Sequence, residues 1–377
     1  MSAAIQKDPV LVVLQLTGGN DYLNTVIPYN NPLYRDNRKA VGIGDNQILQ
    51  LDKDFGFPTY LAPMKKFWDE GSLAIMHGVG YLDSPRSHFR SMDIWHTCEA
   101  DKVGTEGWLG RVVREFDPKK ENVVTCVSFG PSLFRALSVP GVPVACVAGP
   151  LETYGFLPGI QEKAQRQAIL DRFSRMYTPE PGSGVMEYLG TTGQDSLLGA
   201  DILKAAPIKY KSDVKYPDTI IGRKLKGIAQ VHCADLGTRV FYCDYGSFDT
   251  HAGQAGLHSG LWANVNSGLE AFMADLRAQN KSDNVIVLMF SEFGRRVRDN
   301  GSGTDHGAAG ATFVLGDKVK GGHYGDMPSL DAGKLVQGDL NPNMDFREIY
   351  STILDKWLHL NPAPILNGTY QQPAFLN

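Results

Sequence analysis

Seven short apolar runs punctuate the chain, at residues 10–17, 73–79, 123–129, 142–148, 238–244, 285–291 and 311–316. They are apolar at nearly every position rather than at alternate ones, the mark of strands covered on both faces, as in a parallel sheet. Between several of them the pattern changes to steps of three and four. The clearest case spans residues 257 to 279, where Leu257, Leu261, Val265, Leu269, Phe272, Met273 and Leu276 share one helical face. Residues 163–176 and 346–358 also read as helices. Strands alternating with helices predict an α/β fold, a three-layer α/β/α sandwich around a mostly parallel central sheet.

The expected organisation is one domain over residues 1–377, with 150–225 either a helical insertion beside the sheet or the seam of a second lobe. Residues 29–57, rich in Asn, Asp, Pro and Gly, read as an excursion across the surface. Residues 179–184 (Pro-Glu-Pro-Gly-Ser-Gly) read as a turn, and 301–325 as a glycine-rich loop with apolar bulk only at 311–315.

Composition narrows the function. With 377 residues, 42% of them hydrophobic, and a net charge of −4, the chain carries no electrostatic footprint for nucleic acid or an anionic membrane. No apolar run approaches the ~20 residues of a transmembrane helix. The first nine residues hold no signal-peptide core, so the expectation is a cytoplasmic protein, or an exported, periplasmic one whose signal has been trimmed. Five cysteines without a CxxC argue against a disulfide framework or a zinc knuckle.

The acids and histidines change the picture most, because they follow the apolar runs. Residues 10–17 lead into Gly18-Gly19-Asn20-Asp21, 238–244 into Phe248-Asp249-Thr250-His251, and 285–290 into Ser291-Glu292-Phe293-Gly294-Arg295 and then Asp305-His306. In open α/β sheets, sites form beyond the carboxyl ends of the strands. One sheet edge is therefore expected to gather Asp21, Asp249, His251, Glu292, Asp305 and His306 around a divalent metal ion, Zn, Mn, Ca or Mg. Each has a plainer alternative. Asp21 can cap a helix, Asp249 and His251 can be loop residues, and Glu292 can pair with Arg295 or Arg296. Gln254 and His258 are weaker candidates nearby. For phosphoryl or sulfuryl transfer, Ser87 or Ser84 is the candidate nucleophile, with Arg86, Arg90 and Arg295 to bind an anion. For Ser87 the alternative is a helix N-cap, with His88 as a helix-start residue.

Gly18 to Tyr29, Ser87 to Arg90, Gly107 to Arg111, Phe248 to His251, Ser291 to Arg295 and Gly303 to Gly307 together resemble the DUF1501 family, in order over residues 10 to 360. That resemblance implies an alkaline phosphatase-like fold, in the superfamily of alkaline phosphatases and sulfatases, with a metal site at the carboxyl edge of the sheet. It puts Asp21 at the first-strand ligand, Ser87 at the nucleophile and His306 at the last His ligand. The chain departs from the pattern twice. Asp249 and His251 stand closer together than the usual ligand pair, and Phe293 replaces a His, so a one-metal or degenerate site fits better than a two-metal one.

The leading expectation is thus a metal-dependent hydrolase of phosphate or sulfate esters, its partner a small-molecule or glycan anionic ester. The alternatives are a non-catalytic binding or scaffold protein on the same fold, and an enzyme acting on sulfated or acylated glycans. In the last, Tyr22, Tyr29, Tyr34, Tyr60 and Trp68 would line a sugar groove.

Overall fold

The computed structural model describes residues 7–153, 155, 160, 162–176 and 184–377, so the turn expected at 179–184 lies almost wholly outside the described residues. Among the described residues eleven strands form: β1 (Val10–Leu16), β2 (Ile48–Gln50), β3 (Gly56–Pro58), β4 (Leu73–Gly80), β5 (Cys126–Phe129), β6 (Ala145–Val147), β7 (Val240–Tyr245), β8 (Val285–Phe290), β9 (Gly310–Leu315), β10 (Gly322–Tyr324) and β11 (Met344–Asp345). β2 and β3 make a small hairpin, and the other nine make one sheet in the order β10-β4-β9-β8-β1-β7-β5-β6, with β11 also beside β4. All seven expected runs are strands of that sheet. Every pairing in it is parallel except those of β9, which runs antiparallel to both β4 and β8.

β1 shows why the runs are continuous. Val10, Val12, Leu14 and Leu16 enter one hydrophobic cluster, while Leu11 and Val13 enter another on the opposite face. The first cluster takes its helical side from Ala62–Asp69, Ile220–Cys233 and Gln254–Ala278. The second takes His88–Thr97, Trp108–Phe116 and Phe346–Thr352. The α/β/α sandwich is therefore the observed architecture. The helix expected at 346–358 widens into a π-helical turn at Ile353–Trp357. Residues 150–225 do supply helices, at Lys163–Met176, Gly184–Leu203 and Ala206–Lys209. Among the described residues no helix is long and apolar enough to cross a membrane. All five cysteines are free.

The helix Gln254–Ala278 departs from its expected face over its first turns. Leu257 is 56% exposed, and the buried stripe runs instead through Gln254, His258 and Trp262 before joining Val265, Leu269, Phe272 and Leu276. The reason lies opposite. Trp262 Nε1 and His258 Nε2 both reach Asn20 Oδ1, at 2.9 and 3.0 Å, in the loop after β1. A polar loop there needs hydrogen-bonding partners, and the helix supplies them.

Three histidines are buried in uncharged form. Burial holds His77 and His96 down at about 3 and His258 at about 4. In the unfolded chain each takes up a proton near the ordinary value of about 6.5. Below that pH the unfolded state binds more protons, so the fold loses stability as the pH falls from about 6.5 toward 4, by up to ~1.4 kcal/mol per unit for each group. Urea midpoints measured from pH 7.5 to 4.5 should fall over that window, and less steeply in His96→Gln. A flat profile would contradict the buried neutral assignment.

Candidate active site

β1 delivers the chain into two glycines with positive φ, +119° at Gly18 and +76° at Gly19. A Cβ on Gly18 would lie 2.4 Å from the backbone nitrogen of Asp249, and one on Gly19 2.6 Å from the Phe293 ring. Only glycine fits both the torsion and the space. Arg295, 1% exposed, fastens this loop to two others. Its Nε donates to the Gly19 carbonyl at 2.7 Å and its Nη1 to that of Thr304 at 2.9 Å. Its Nη2 donates to the carbonyls of Gly18 and Phe248, and to Asp249 Oδ1 at 2.6 Å.

Asp21 does not join the other candidate ligands. It is fully buried, and its carboxylate accepts from Arg38, with Nη2 to Oδ1 at 2.9 Å and Nη1 to Oδ2, and from the Gln254 amide. Burial disfavours its charge, but Arg38 outweighs burial and keeps the carboxyl below its ordinary pKa. The structure thus places Asp21 apart from the other expected ligands, its charge balanced by a guanidinium. Arg38 comes from the 29–57 excursion, which is where the sequence offered no chemistry.

Three imidazoles do converge, on Asp249. His306 Nδ1 faces the Arg86 carbonyl at 2.9 Å, His251 Nδ1 faces Asp305 Oδ1 at 3.1 Å, and His88 Nδ1 faces Glu292 Oε1 at 2.7 Å. Each of these partners is an acceptor, which places the ring proton on Nδ1 and leaves Nε2 as a lone pair, a tautomer inferred from the partners. The Nε2 atoms of His251 and His306 are 3.0 Å apart, and each is 3.0 Å from Asp249 Oδ1. His88 Nε2 lies 3.5 Å from Asp249 Oδ2 and is buried without a hydrogen-bond partner. The ligating atoms of His88, Asp249 and His306 lie within 4.8 Å of one another.

The remaining acids orient this group. Glu292, fully buried, accepts from the Gly18 amide at 2.9 Å as well as from His88. It therefore acts on the imidazole rather than standing among the converging atoms, and it has no arginine partner. Its hydrogen bond raises the pKa of His88, making Nε2 a stronger base. Asp305 is bonded by Asn300 and by His251, in that order of effect, and both lower its pKa. Burial pushes the Asp249 carboxyl up, but the hydrogen bond and charge of Arg295 oppose it, and the carboxyl comes down to about 2. Phe293 walls the group off below, its ring centre 4.8 Å from that of His88 and 4.9 Å from that of His306.

The expected nucleophile and anion-binding arginines all have partners within the protein or are buried. Ser87 caps the helix His88–Thr97, its hydroxyl accepting from Arg90 N at 3.5 Å. Ser84 Oγ is buried without a partner. Arg86 is paired with Asp339 at 2.5 Å. Arg90 is paired with Asp93 at 2.6 Å and donates to the carbonyls of Ala100 and Lys102. Arg295 is spent on carbonyls and Asp249. Of the aromatics expected to line a sugar groove, Tyr22 and Tyr34 are core residues, and Tyr29, Tyr60 and Trp68 are partly buried against the same cluster. The residue that sequence reasoning left out is His88. Its one signal was Glu292, an acid after the most apolar strand that needed a partner.

If Asp21 is a structural counter-ion, Asp21→Ala should lower the thermal midpoint sharply, because Arg38 is left buried and unpaired, at a cost of ~3–5 kcal/mol. Asp21→Leu combined with Arg38→Leu should recover much of that loss. Equal stability of Asp21→Ala and the parent would refute the assignment.

Comparison with known proteins gives a family match over part of the chain. Residues 222–363 match the model described as "Protein of unknown function (DUF1501)". None of the curated proteins matches. Among solved structures, similarity extends to a protein in the alkaline phosphatase superfamily from Vibrio parahaemolyticus, at 8% identity over 95% of this chain and 70% of that one, with a TM-score of 0.39. PsFucS1 sulfatase from Pseudoalteromonas sp. matches at 12% identity over 96% and 68%, with a TM-score of 0.38. The C-terminal periplasmic domain of EcEptC from Escherichia coli, in complex with Zn, matches at 10% identity over 82% and 73%, with a TM-score of 0.34. The matched stretch carries Asp249, His251, Glu292, Arg295, Asp305 and His306, so over residues 222–363 the chain matches the model of the family its motifs resemble.

Proposed function

We propose that this protein is a hydrolase that uses one divalent metal ion to cleave an anionic ester, of the phosphate or sulfate type. The observation that carries the reading is the convergence of three imidazole Nε2 atoms and one carboxylate without a protein donor other than Arg295 between them. Lone pairs and a carboxylate packed this closely require a proton or a cation. A carboxylate or carbonyl behind each imidazole is the arrangement that orients metal-binding histidines.

His88, Asp249 and His306 would hold the ion. Mixed nitrogen and oxygen donors suit Zn or Mn better than Ca or Mg, which prefer oxygen alone. A bound ion would supply positive charge at an ester oxygen and lower the pKa of a water molecule. The chain's own part follows from its geometry. Asp249 and His251 have side chains 43% and 45% exposed, so substrate and water reach the group from that side. His251, steadied by Asp305, presents Nε2 to take a proton. A water molecule beside the ion is the nucleophile that this arrangement would activate.

Elemental analysis of the purified protein after incubation with zinc or manganese tests this. The expected result is about one ion per chain, lost in His88→Ala and in His306→Ala, with hydrolysis of p-nitrophenyl phosphate or p-nitrophenyl sulfate falling at least ~100-fold in both. A parent protein that takes up neither metal would turn the reading toward a scaffold.

A further inference from the structure

The loop 81–87 serves two members of the convergent group at once. At its end Ser87 caps the helix that begins with His88, and one residue earlier the Arg86 carbonyl accepts the Nδ1 proton of His306. Its backbone is unusual for such a short stretch. Asp83 and Arg86 both have left-handed torsions, with φ of 58° and 52°, although neither is glycine. Such a conformation persists only where its surroundings impose it. Apolar packing anchors the loop only at Tyr81, since Leu82 is 76% exposed and Asp83 and Pro85 are exposed too.

What reaches inward is the Arg86 side chain. Its Nε donates to Asp339 Oδ2 at 2.5 Å, and the Asp339 side chain is only 2% exposed. Asp339 is itself fixed by a pair of backbone hydrogen bonds with Val336, at 3.0 and 3.1 Å. Its other oxygen, Oδ1, is buried without a hydrogen-bond partner, with Arg296 Nε 3.6 Å away. A buried carboxylate incompletely satisfied is costly to keep, and its one strong contact is the tether to this loop.

We infer that Asp339 is a positioning residue for the metal centre: through Arg86 it holds the loop 81–87 in its observed conformation, with the Arg86 carbonyl on His306 and His88 in place. The inference rests on the one-metal reading. Asp339 touches none of the converging atoms and acts through Arg86. Loss of the tether frees His306 to turn about its ring axis and lets the start of the His88 helix shift, so both affinity and the rate of release change.

Cobalt(II) is a suitable probe, because its visible absorption bands report coordination independently of turnover. Binding and chelator-driven release would be followed for the parent, Asp339→Asn, Arg86→Ala and the double variant. Each single variant should weaken cobalt binding 10- to 100-fold, speed its release by a similar factor and alter the band pattern. The double variant should be no worse than the weaker single one, since both cut the same tether. Arg86→Ala leaves the Asp339 carboxylate buried and unpaired, so its metal-free thermal midpoint should fall, whereas that of Asp339→Asn should stay closer to the parent; the cobalt readouts are therefore compared at a temperature where every variant is folded. If one variant fails to fold, the other decides. A parent that binds no cobalt refutes the metal reading itself. A parent that binds it, with both variants matching its affinity and release rate, overturns the role of Asp339.

Discussion

The Arg295 guanidinium is the interaction on which the rest of the site depends. It gathers the carbonyls of Gly18, Gly19, Phe248 and Thr304, which belong to the loops after β1, after β7 and before β9, and it meets Asp249 with the same nitrogen. Backbone carbonyls turned inward at strand ends would otherwise be buried without donors, at a cost comparable to losing a hydrogen bond each. One planar cation satisfies several of them, and five fixed N–H groups make arginine the side chain able to do so. Removing its charge would leave the carbonyls facing one another and Asp249 without its nearest counter-charge.

Around that clamp the carboxylates divide into two kinds. Asp21 has its own arginine, and Glu292 and Asp305 have histidine ring protons. Each is satisfied within the protein. Asp249 alone shares its oxygens between Arg295 and atoms that are themselves acceptors. The difference in partners, more than the identity of the residues, separates supporting carboxylates from the one at the centre.

Much of the fold was legible because continuous apolar runs report burial on both faces, as the alternate placement of Leu11 and Val12 in opposite clusters illustrates. The antiparallel direction of β9 was not legible, since an apolar run carries no direction. The site was legible as far as strand ends are, which brought Asp249, His251 and His306 to one place. The pairing of Asp21 was not legible because its partner, Arg38, sits on a segment with no periodicity. His88 was missed because its tautomer depends on Glu292, 204 residues away. The roles of Arg86 and Arg90 were hidden for the same reason: pairing is decided by tertiary contacts, and residue type sets only what pairing is possible. The first turns of Gln254–Ala278 show it again, where Leu257 faces solvent and Gln254 and His258 face inward.

The reversal at β9 also bears on the order in which the molecule can assemble. A parallel neighbour would require a long crossover between β8 and β9, but the antiparallel pairing lets the chain turn straight back. Residues 295 and 306 bridge across the turn, and the Gly294 and Gly307 backbones bond to each other at 2.9 Å. Arg295 and His306 thus meet through a loop of about a dozen residues, whereas the Gly18 amide reaches Glu292 across 274. Short loops close at small entropic expense and long ones do not. The β8–β9 ribbon, with the clamp and one imidazole already in register, is the portion of the site that the chain can build locally, onto which the β1 loop must later dock.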